Sequence, residues 1–313
     1  MRREVETRDL KAELKKSSQA KASMTACALE VDCRNCLNKG YIIETKGAFA
    51  HAELCKCVRE CSRCYGKATQ SISGYVKPCR EISPLKLVTL INDALIPARY
   101  AWASFGGFSN FTGSGQQVLK AMQNWTKSYQ QQKSRGLLIS GAVGIGKTYL
   151  LAATALELVQ KGIAVRFVDF FQLLSELRAG YTDGKADKTL LEPLIQTEVL
   201  IIDELGKGRN VDWEQTILDQ LVNGRYNQGK PIVASTNYKL EKVQDEIVQN
   251  QFNIDLERQA QGPNNSLAGK FDPNFFGSLE NRVGSRIYSR LWEACDKLNF
   301  QGENFRLRHL KQS

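Results

Sequence analysis

Long apolar runs are missing from this 313-residue sequence. No stretch approaches the ~18 apolar residues that a membrane-spanning helix requires. The opening MRREVETRDLKAELKK is charged throughout and has no apolar centre, so it does not read as a secretory leader. Together these absences predict a cytoplasmic chain that makes no use of a membrane. Cysteine is nearly absent outside one segment: eight of the nine lie between positions 27 and 79, and Cys295 stands alone. Disulfides are uncommon in such a compartment, so a clustered set reads first as metal ligands. Repeats at solenoid spacing are also lacking. What remains is ordinarily globular, 42% apolar and 24% charged, enough for one large domain and a smaller appendage.

The net charge of +10 is unevenly placed, because residues 1–80 hold 16 Lys/Arg against 9 Asp/Glu. That bias fits nucleic acid and equally fits a solvated surface. Residues 1–26 read as a charged helical or disordered arm, 27–80 as a cysteine-rich module, 81–130 as a helical linker and 131–313 as the main domain. From residue 136 onward strands alternate with helices. LLIS, IAVRFVD, EVLIIDE and PIVAST read as strands, separated by helices at 147–161, in DFFQLLSELRAG and in WEQTILDQLVNGRYN. Apolar, β-branched strands between helices predict an α/β fold with a mostly parallel sheet. Residues 241–278 are polar and turn-rich and read as an insertion.

The first strand hands over to GAVGIGKT, Gly141 to Thr148, which has the spacing G-x-x-x-x-G-K-[ST]. Glycines let a backbone curl around phosphates, and the helix that follows offers its N-terminus to their charge. Gly141, Ala142, Val143, Gly144, Ile145, Gly146, Lys147, Thr148 and Tyr149 are therefore candidate contacts to ATP. Lys147 suits the β- and γ-phosphates, and Thr148 suits Mg²⁺. Asp203, at the carboxyl end of EVLIIDE, is the second candidate for the Mg²⁺ shell. Glu204 beside it suits a general base that polarises the attacking water. The strand end ASTNY places Ser235, Thr236 or Asn237 near the γ-phosphate if it lies between the first and third strands, and Asn237 is chosen to orient the water.

In the cysteine module the pairs are Cys33-x2-Cys36, Cys55-x-Cys57 and Cys61-x2-Cys64, with Cys27 and Cys79 flanking. Tetrahedral Zn²⁺ takes four thiolates and then has no open position, so one or two structural ions are expected. Cys33, Cys36, Cys55 and Cys57 form the strongest set. Cys61, Cys64 and Cys79 supply three ligands for a second ion, completed by Cys27 or His51. Pairing 33/36 with 61/64 and an iron–sulfur cluster are the alternatives.

GAVGIGKT, LIIDE, the RY of NGRYNQGKP, the STNY strand end and NRVGSRIYSRL, in this order, resemble AAA+ ATPases of the bacterial replicative-helicase loader family, the DnaC/IstB-like group. The resemblance covers residues ~82–313, including IPARY and the closing GENFR. It implies a five-stranded parallel sheet with a strand inserted beside the P-loop strand, and no C-terminal helical lid. It also implies a zinc site of the Cys-x2-Cys…Cys-x-Cys kind and an N-terminal part that binds the helicase. An arginine finger in trans is implied too, for which Arg286 is the first choice and Arg290 the second. Arg282 completes an i, i+4 series expected on one helix face, and Arg225 is a weaker intersubunit or phosphate-sensing candidate. The helix DFFQLLSELRAGYTDGK sits where the family contacts single-stranded DNA, which nominates Arg166, Arg178, Tyr181 and Lys185. Phe170, Phe171, Leu173, Leu174 and Leu177 are expected in the core.

The leading expectation is an ATP-hydrolysing helicase loader in DNA replication. It would bind a DnaB-like hexameric helicase and single-stranded DNA and self-associate through the ATP site. The alternatives are a transposition helper that binds duplex DNA, and a zinc-based adaptor whose nucleotide site only switches shape.

Overall fold

A computed structural model describes residues 28–29, 33–59, 69–72, 75–78, 83–109, 112–129, 134–181, 190–208, 211–240 and 277–305. They fall into two compact units, one of residues 1–104 with 152–167 and one of 105–151 with 168–313.

In the first unit β1 (Ala28–Leu29) pairs antiparallel with β4 (Val58–Arg59). β2 (Tyr41–Lys46) and β3 (Phe49–Leu54) form a hairpin in the register Tyr41 opposite Leu54. Gly47 turns that hairpin at φ 69°. β5 (Thr69–Ile72) and β6 (Tyr75–Pro78) make a second, shorter hairpin. Helix α1 (Pro84–Ala94) opens on Ser83, whose hydroxyl accepts from the Lys86 amide at 3.1 Å, with Pro84 in the first turn. Asn92 of α1 clips onto β3, accepting from the Ala52 amide at 2.7 Å and donating to the Ala52 carbonyl at 3.0 Å.

The second unit begins with α2 (Gly115–Ser128) and carries most of a five-stranded parallel sheet ordered β11-β7-β10-β9-β8. The strands are β7 (Gly136–Gly141), β8 (Val165–Asp169), β9 (Val199–Asp203), β10 (Ile232–Thr236) and β11 (Cys295–Phe300). The three central strands are buried at every residue, as strands covered by helices on both faces must be. β10 lies between β7 and β9, the inserted-strand order that the resemblance implies. Its register puts Thr236 opposite Ser140 and Ala234 opposite Ile202, so the three carboxyl ends emerge together. The fifth strand, CDKLNF, alternates buried ends with exposed Asp296, Lys297 and Asn299. It is an edge strand, and its polar face is why its apolar content gives no strand signal.

The connecting helices are α3 (Lys147–Gln160), α4 (Phe170–Tyr181), α5 (Glu192–Gln196), α6 (Asp212–Asn227), α7 (Leu279–Val283) and α8 (Ser285–Ala294). α3 ends in a Schellman motif: Gly162 at φ 80° donates to Val159, and Ile163 donates to Leu158. In α4, Phe170, Leu173, Leu174 and Leu177 are buried as expected, but Phe171 is 50% exposed because it sits on the opposite helix face. The series Arg282, Arg286, Arg290 does not share one helix. Gly284, at φ 83°, breaks the chain between α7 and α8 and turns Arg282 away from the other two. Among the described residues no helical bundle follows β11, and no helix is long and apolar enough to cross a membrane.

Candidate functional site

The phosphate loop joins β7 to α3, and its three glycines answer different demands: packing against backbone at Gly141, conformation at Gly144 and both at Gly146. Gly144 and Gly146 adopt φ 82° and 108°. A Cβ at Gly141 would fall 2.2 Å from the Phe300 carbonyl oxygen, at Gly144 2.1 Å from the Asn304 side chain and at Gly146 2.9 Å from the Phe108 ring. Phe305 N–H also donates to the Gly144 carbonyl at 2.9 Å. Phe108 lies 6.0 Å from the Tyr149 ring and 6.2 Å from the Phe300 ring, centroid to centroid. Phe108, Phe300 and Asn304 thus form a collar around the loop that spacing alone does not announce. The closing GENFR contains Asn304, and that motif is the one signal that could have found it.

Inside the loop Lys147 is almost fully buried. Its ammonium donates to the carbonyls of Gly141 and Ala142 and to Asn237 Oδ1, each at 2.7 Å. Thr148 Oγ1 donates to Asp203 Oδ2 at 2.7 Å, and Ser235 Oγ donates to the other oxygen, Oδ1, at 2.5 Å. Burial raises the pKa of Asp203, opposed by the two hydroxyls that donate to it. Three strands therefore converge on one point: a buried cation from the loop, a buried carboxylate from β9 and an amide oxygen from the end of β10. Neutral oxygens around a buried ammonium, and hydroxyls on a buried carboxylate, are what a phosphate chain and its divalent ion can replace one for one. The residues present fit ATP with Mg²⁺.

Glu204 leaves the strand at φ 56°, a left-handed conformation uncommon for a residue with a Cβ. Its amide donates to Ser235 Oγ at 3.1 Å, and its carboxylate accepts from Lys207 three residues on. That hydrogen bond is the first cause of the raised pKa of Lys207. Lys207 was not a sequence candidate, although its place in ELGKG is a visible one.

The arginine candidates separate sharply. Arg225 is fully buried, and its guanidinium donates to five carbonyls, those of Leu194, Ile195, Thr197, Glu198 and Pro231. Burial brings its pKa down to about 9, so it stays charged at neutral pH. It knots α6 to the entries of β9 and β10, and it is not available to another subunit or to phosphate. Arg282 is bonded within the chain, through Nε to the Gly206 carbonyl at 3.1 Å and through Nη2 to the Gly208 carbonyl. Arg290 pairs with Asp219 at 3.0 Å, whereas the Arg286 side chain is 71% exposed and 3.7 Å from the same carboxylate. Arg166 is half-buried and donates to the Asp93 carbonyl at the end of α1, and burial lowers its pKa. Arg178 lies 5.2 Å over the Trp213 ring. The Tyr181 side chain and Lys185 lie outside the described residues.

A second candidate site lies in the first unit. Cys33, Cys36, Cys55 and Cys57 bring their sulfurs within 4.8 Å of one another. Cys33 Sγ is 3.8 Å from Cys55 Sγ, and Cys36 Sγ is 3.4 Å from Cys57 Sγ. A tetrahedral zinc with bonds of about 2.3 Å spaces its ligand sulfurs about 3.8 Å apart. The Gly40 amide donates to Cys36 Sγ at 3.3 Å, and Asn35 Nδ2 to Cys55 Sγ at 3.7 Å. Burial pushes the Cys36 thiol up. The Gly40 amide and the neighbouring thiols outweigh it and bring the group down to about 7. The turn between Cys33 and Gly40 uses left-handed Leu37 and Asn38 as well as Gly40. These residues fit a structural Zn²⁺. His51 is on β3 beside Glu53, outside the four-sulfur set. Cys27, Cys61, Cys64 and Cys79 lie outside the described residues.

With both sites in view, likeness to known proteins can be weighed. YdaV of Escherichia coli (strain K12), an uncharacterized protein, is 27% identical over 169 residues, 53% of this chain and 68% of YdaV. Replicative helicase loader DnaC of the same strain is 29% identical over 107 residues, 34% of this chain and 44% of DnaC, so less than half of that loader is matched. The crystal structure of the DnaC helicase loader superposes with a TM-score of 0.50 at 24% identity, over 65% of this chain and 99% of that one, and so shares the fold. The family model described as IstB-like ATP binding protein matches residues 85–252, from α1 past the end of β10. A phosphate loop, a converging carboxylate and an inserted strand fall inside that span, which is more than half of the sequence, and the chain belongs to this IstB-like ATP-binding family.

Proposed function

We propose that this chain is an ATP-hydrolysing helicase loader that binds a replicative DnaB-like helicase and single-stranded DNA. The observation that carries the ATPase reading is the convergence of Lys147, Thr148, Asp203 and Asn237 at the carboxyl ends of three adjacent strands. Lys147 would exchange its carbonyl partners for β- and γ-phosphate oxygens. Thr148 and Asp203 would hold Mg²⁺, which supplies charge neutralisation between the phosphates. Glu204, one residue beyond Asp203, would take the proton of the attacking water, and Asn237 would orient that water. Arg286 is the arginine best placed for a second copy's phosphate, since its side chain is 71% exposed and only loosely paired with Asp219, whereas Arg282 and Arg290 are hydrogen-bonded within their own chain. An Arg fork there would neutralise charge that develops in the transition state.

The loader reading rests on the likeness to the helicase loader DnaC, together with a four-thiolate module suited to a closed structural Zn²⁺ site. In this reading zinc folds the helicase-binding end, and Arg178, Tyr181 and Lys185 contribute charge and a stacking face for single strands. The test is delivery of the hexameric helicase from the same source onto circular single-stranded DNA coated with single-strand-binding protein. ATP-dependent helicase recovery on the circle, lost in Lys147→Ala and in a Cys36→Ser variant, supports the proposal. Binding to duplex DNA with no helicase delivery moves the reading to a transposition helper. Delivery that needs nucleotide and Lys147 but proceeds without hydrolysis moves it to a nucleotide-switched adaptor.

A further inference from the structure

The three residues after Asn237 hand their carbonyls to three different elements. Tyr238 accepts from Ser140 Oγ of β7 at 2.7 Å, Lys239 from the Leu279 amide of α7 at 2.8 Å and Leu240 from the Tyr288 hydroxyl of α8. The helix pair that presents Arg286 is therefore fastened to the strand end that touches Lys147. Arg282 adds a second fastening, to the turn that carries Glu204. One planar guanidinium donates to the carbonyls of Gly206 and Gly208 while lying 5.2 Å over the Tyr238 ring. Gly206, at φ 87°, is held so closely that a Cβ would come 3.1 Å from Leu279 Cδ1 and 3.3 Å from both Arg282 Cβ and Tyr238 Cδ2. Within this turn the Lys207 amide donates to the Glu204 carbonyl at 3.0 Å, and the Lys207 side chain to the Glu204 carboxylate. The placement of Glu204 is thus set by a turn clamped from α7.

We propose that Arg282 is a positioning residue that ties α7 and α8 to the Glu204 turn. Engagement of Arg286 by the triphosphate on a second copy of this chain is then read out, within its own chain, at the hydrolytic carboxylate. The proposal rests on the hydrolysis reading above. Arginine suits the task and lysine does not, because two carbonyls and a ring face must be met by one flat, fixed fork.

The test compares full-length wild type, Arg282→Met and Arg282→Lys in three ways. ATP turnover is followed across protein concentrations that span self-association, affinity is measured with a fluorescent ATP analogue, and amide hydrogen exchange is read over 204–208. Methionine keeps an unbranched apolar stem of similar length and removes the guanidinium that donates to the two carbonyls and lies over Tyr238. The expected result is affinity within about twofold, KM unchanged, kcat down about tenfold or more with its rise on self-association lost, faster exchange over 204–208, and less than half of the loss recovered by lysine. Wild-type kcat and exchange in Arg282→Met overturn the proposal. Reduced kcat with unchanged exchange also overturns it, by making Arg282 a direct contact to the neighbour's phosphate. If the wild type turns over no ATP, the hydrolysis reading fails by itself, and exchange over 204–208 still decides whether Arg282 clamps the turn.

Discussion

In the four-sulfur cluster, bonded pairs are close in sequence: Cys33 and Cys55 are 22 positions apart, and Cys36 and Cys57 are 21 apart. In the nucleotide site Thr148 and Asp203 are separated by 55 positions, and Lys147 and Asn237 by 90. One hairpin and one left-handed turn suffice to gather the sulfurs, whereas the nucleotide residues meet only once three parallel strands are in register. The cluster holds its thiols together with only Ile42 and Val58 packed against it beside the cysteines, so an ion bound there would add cohesion that the chain itself supplies sparingly. The nucleotide site is already hydrogen-bonded across fully buried strands and does not need its ligand to exist.

That contrast has consequences at the bench. Chelation, or Cys36→Ser, should release one equivalent of zinc from this cluster and abolish exchange protection over 41–54. Nucleotide removal should leave protection over 199–203 and 232–236 unchanged. Zinc release assayed colorimetrically beside exchange mass spectrometry checks both. Glu204→Gln should retain nucleotide affinity and lower turnover by roughly 10²–10⁴, the usual scale for loss of a general base. Steady-state turnover beside equilibrium binding measures the two effects separately. Arg225→Met strips five carbonyls of their donor and should cost roughly 3 kcal/mol, about 6–12 °C in Tm, visible in a thermal melt.

The smallest effect concerns pH. The folded pKa of Asp203 is raised, so its contribution to stability is fully present below the unfolded carboxylate value and is lost as pH rises through the folded one. As pH rises through that folded value, ionisation of the buried carboxyl therefore costs stability. Asp203→Asn should raise the Tm of the nucleotide-free protein by a few degrees while weakening Mg²⁺-dependent ATP binding. A melt that gains nothing over pH 6–8 would show that the hydroxyls of Thr148 and Ser235 fully offset burial.

The phosphate loop and the Asp203–Glu204 pair were legible because each is announced by a motif tied to one chemistry, whereas the strand order came only from the family resemblance. β11 was not, because an edge strand with a wet face carries polar residues at the positions where a central strand carries apolar ones. The arginines misled for a related reason. Spacing shows that Arg225 and Arg282 are basic, but only packing shows that their donors face carbonyls of their own chain. The one-face reading of Arg282, Arg286 and Arg290 failed at a single glycine, Gly284, whose left-handed φ splits the helix. Around the cysteines the spacing named the four that the structure gathers, but not the left-handed Leu37 and Asn38 that join Gly40 in the turn.

The most direct test is the rate of ATP hydrolysis with and without single-stranded DNA, duplex DNA and the replicative helicase, in the wild type and in Lys147→Ala. The account predicts turnover that rises with single strands and helicase together and disappears in Lys147→Ala. Turnover absent from the wild type under every condition would contradict it.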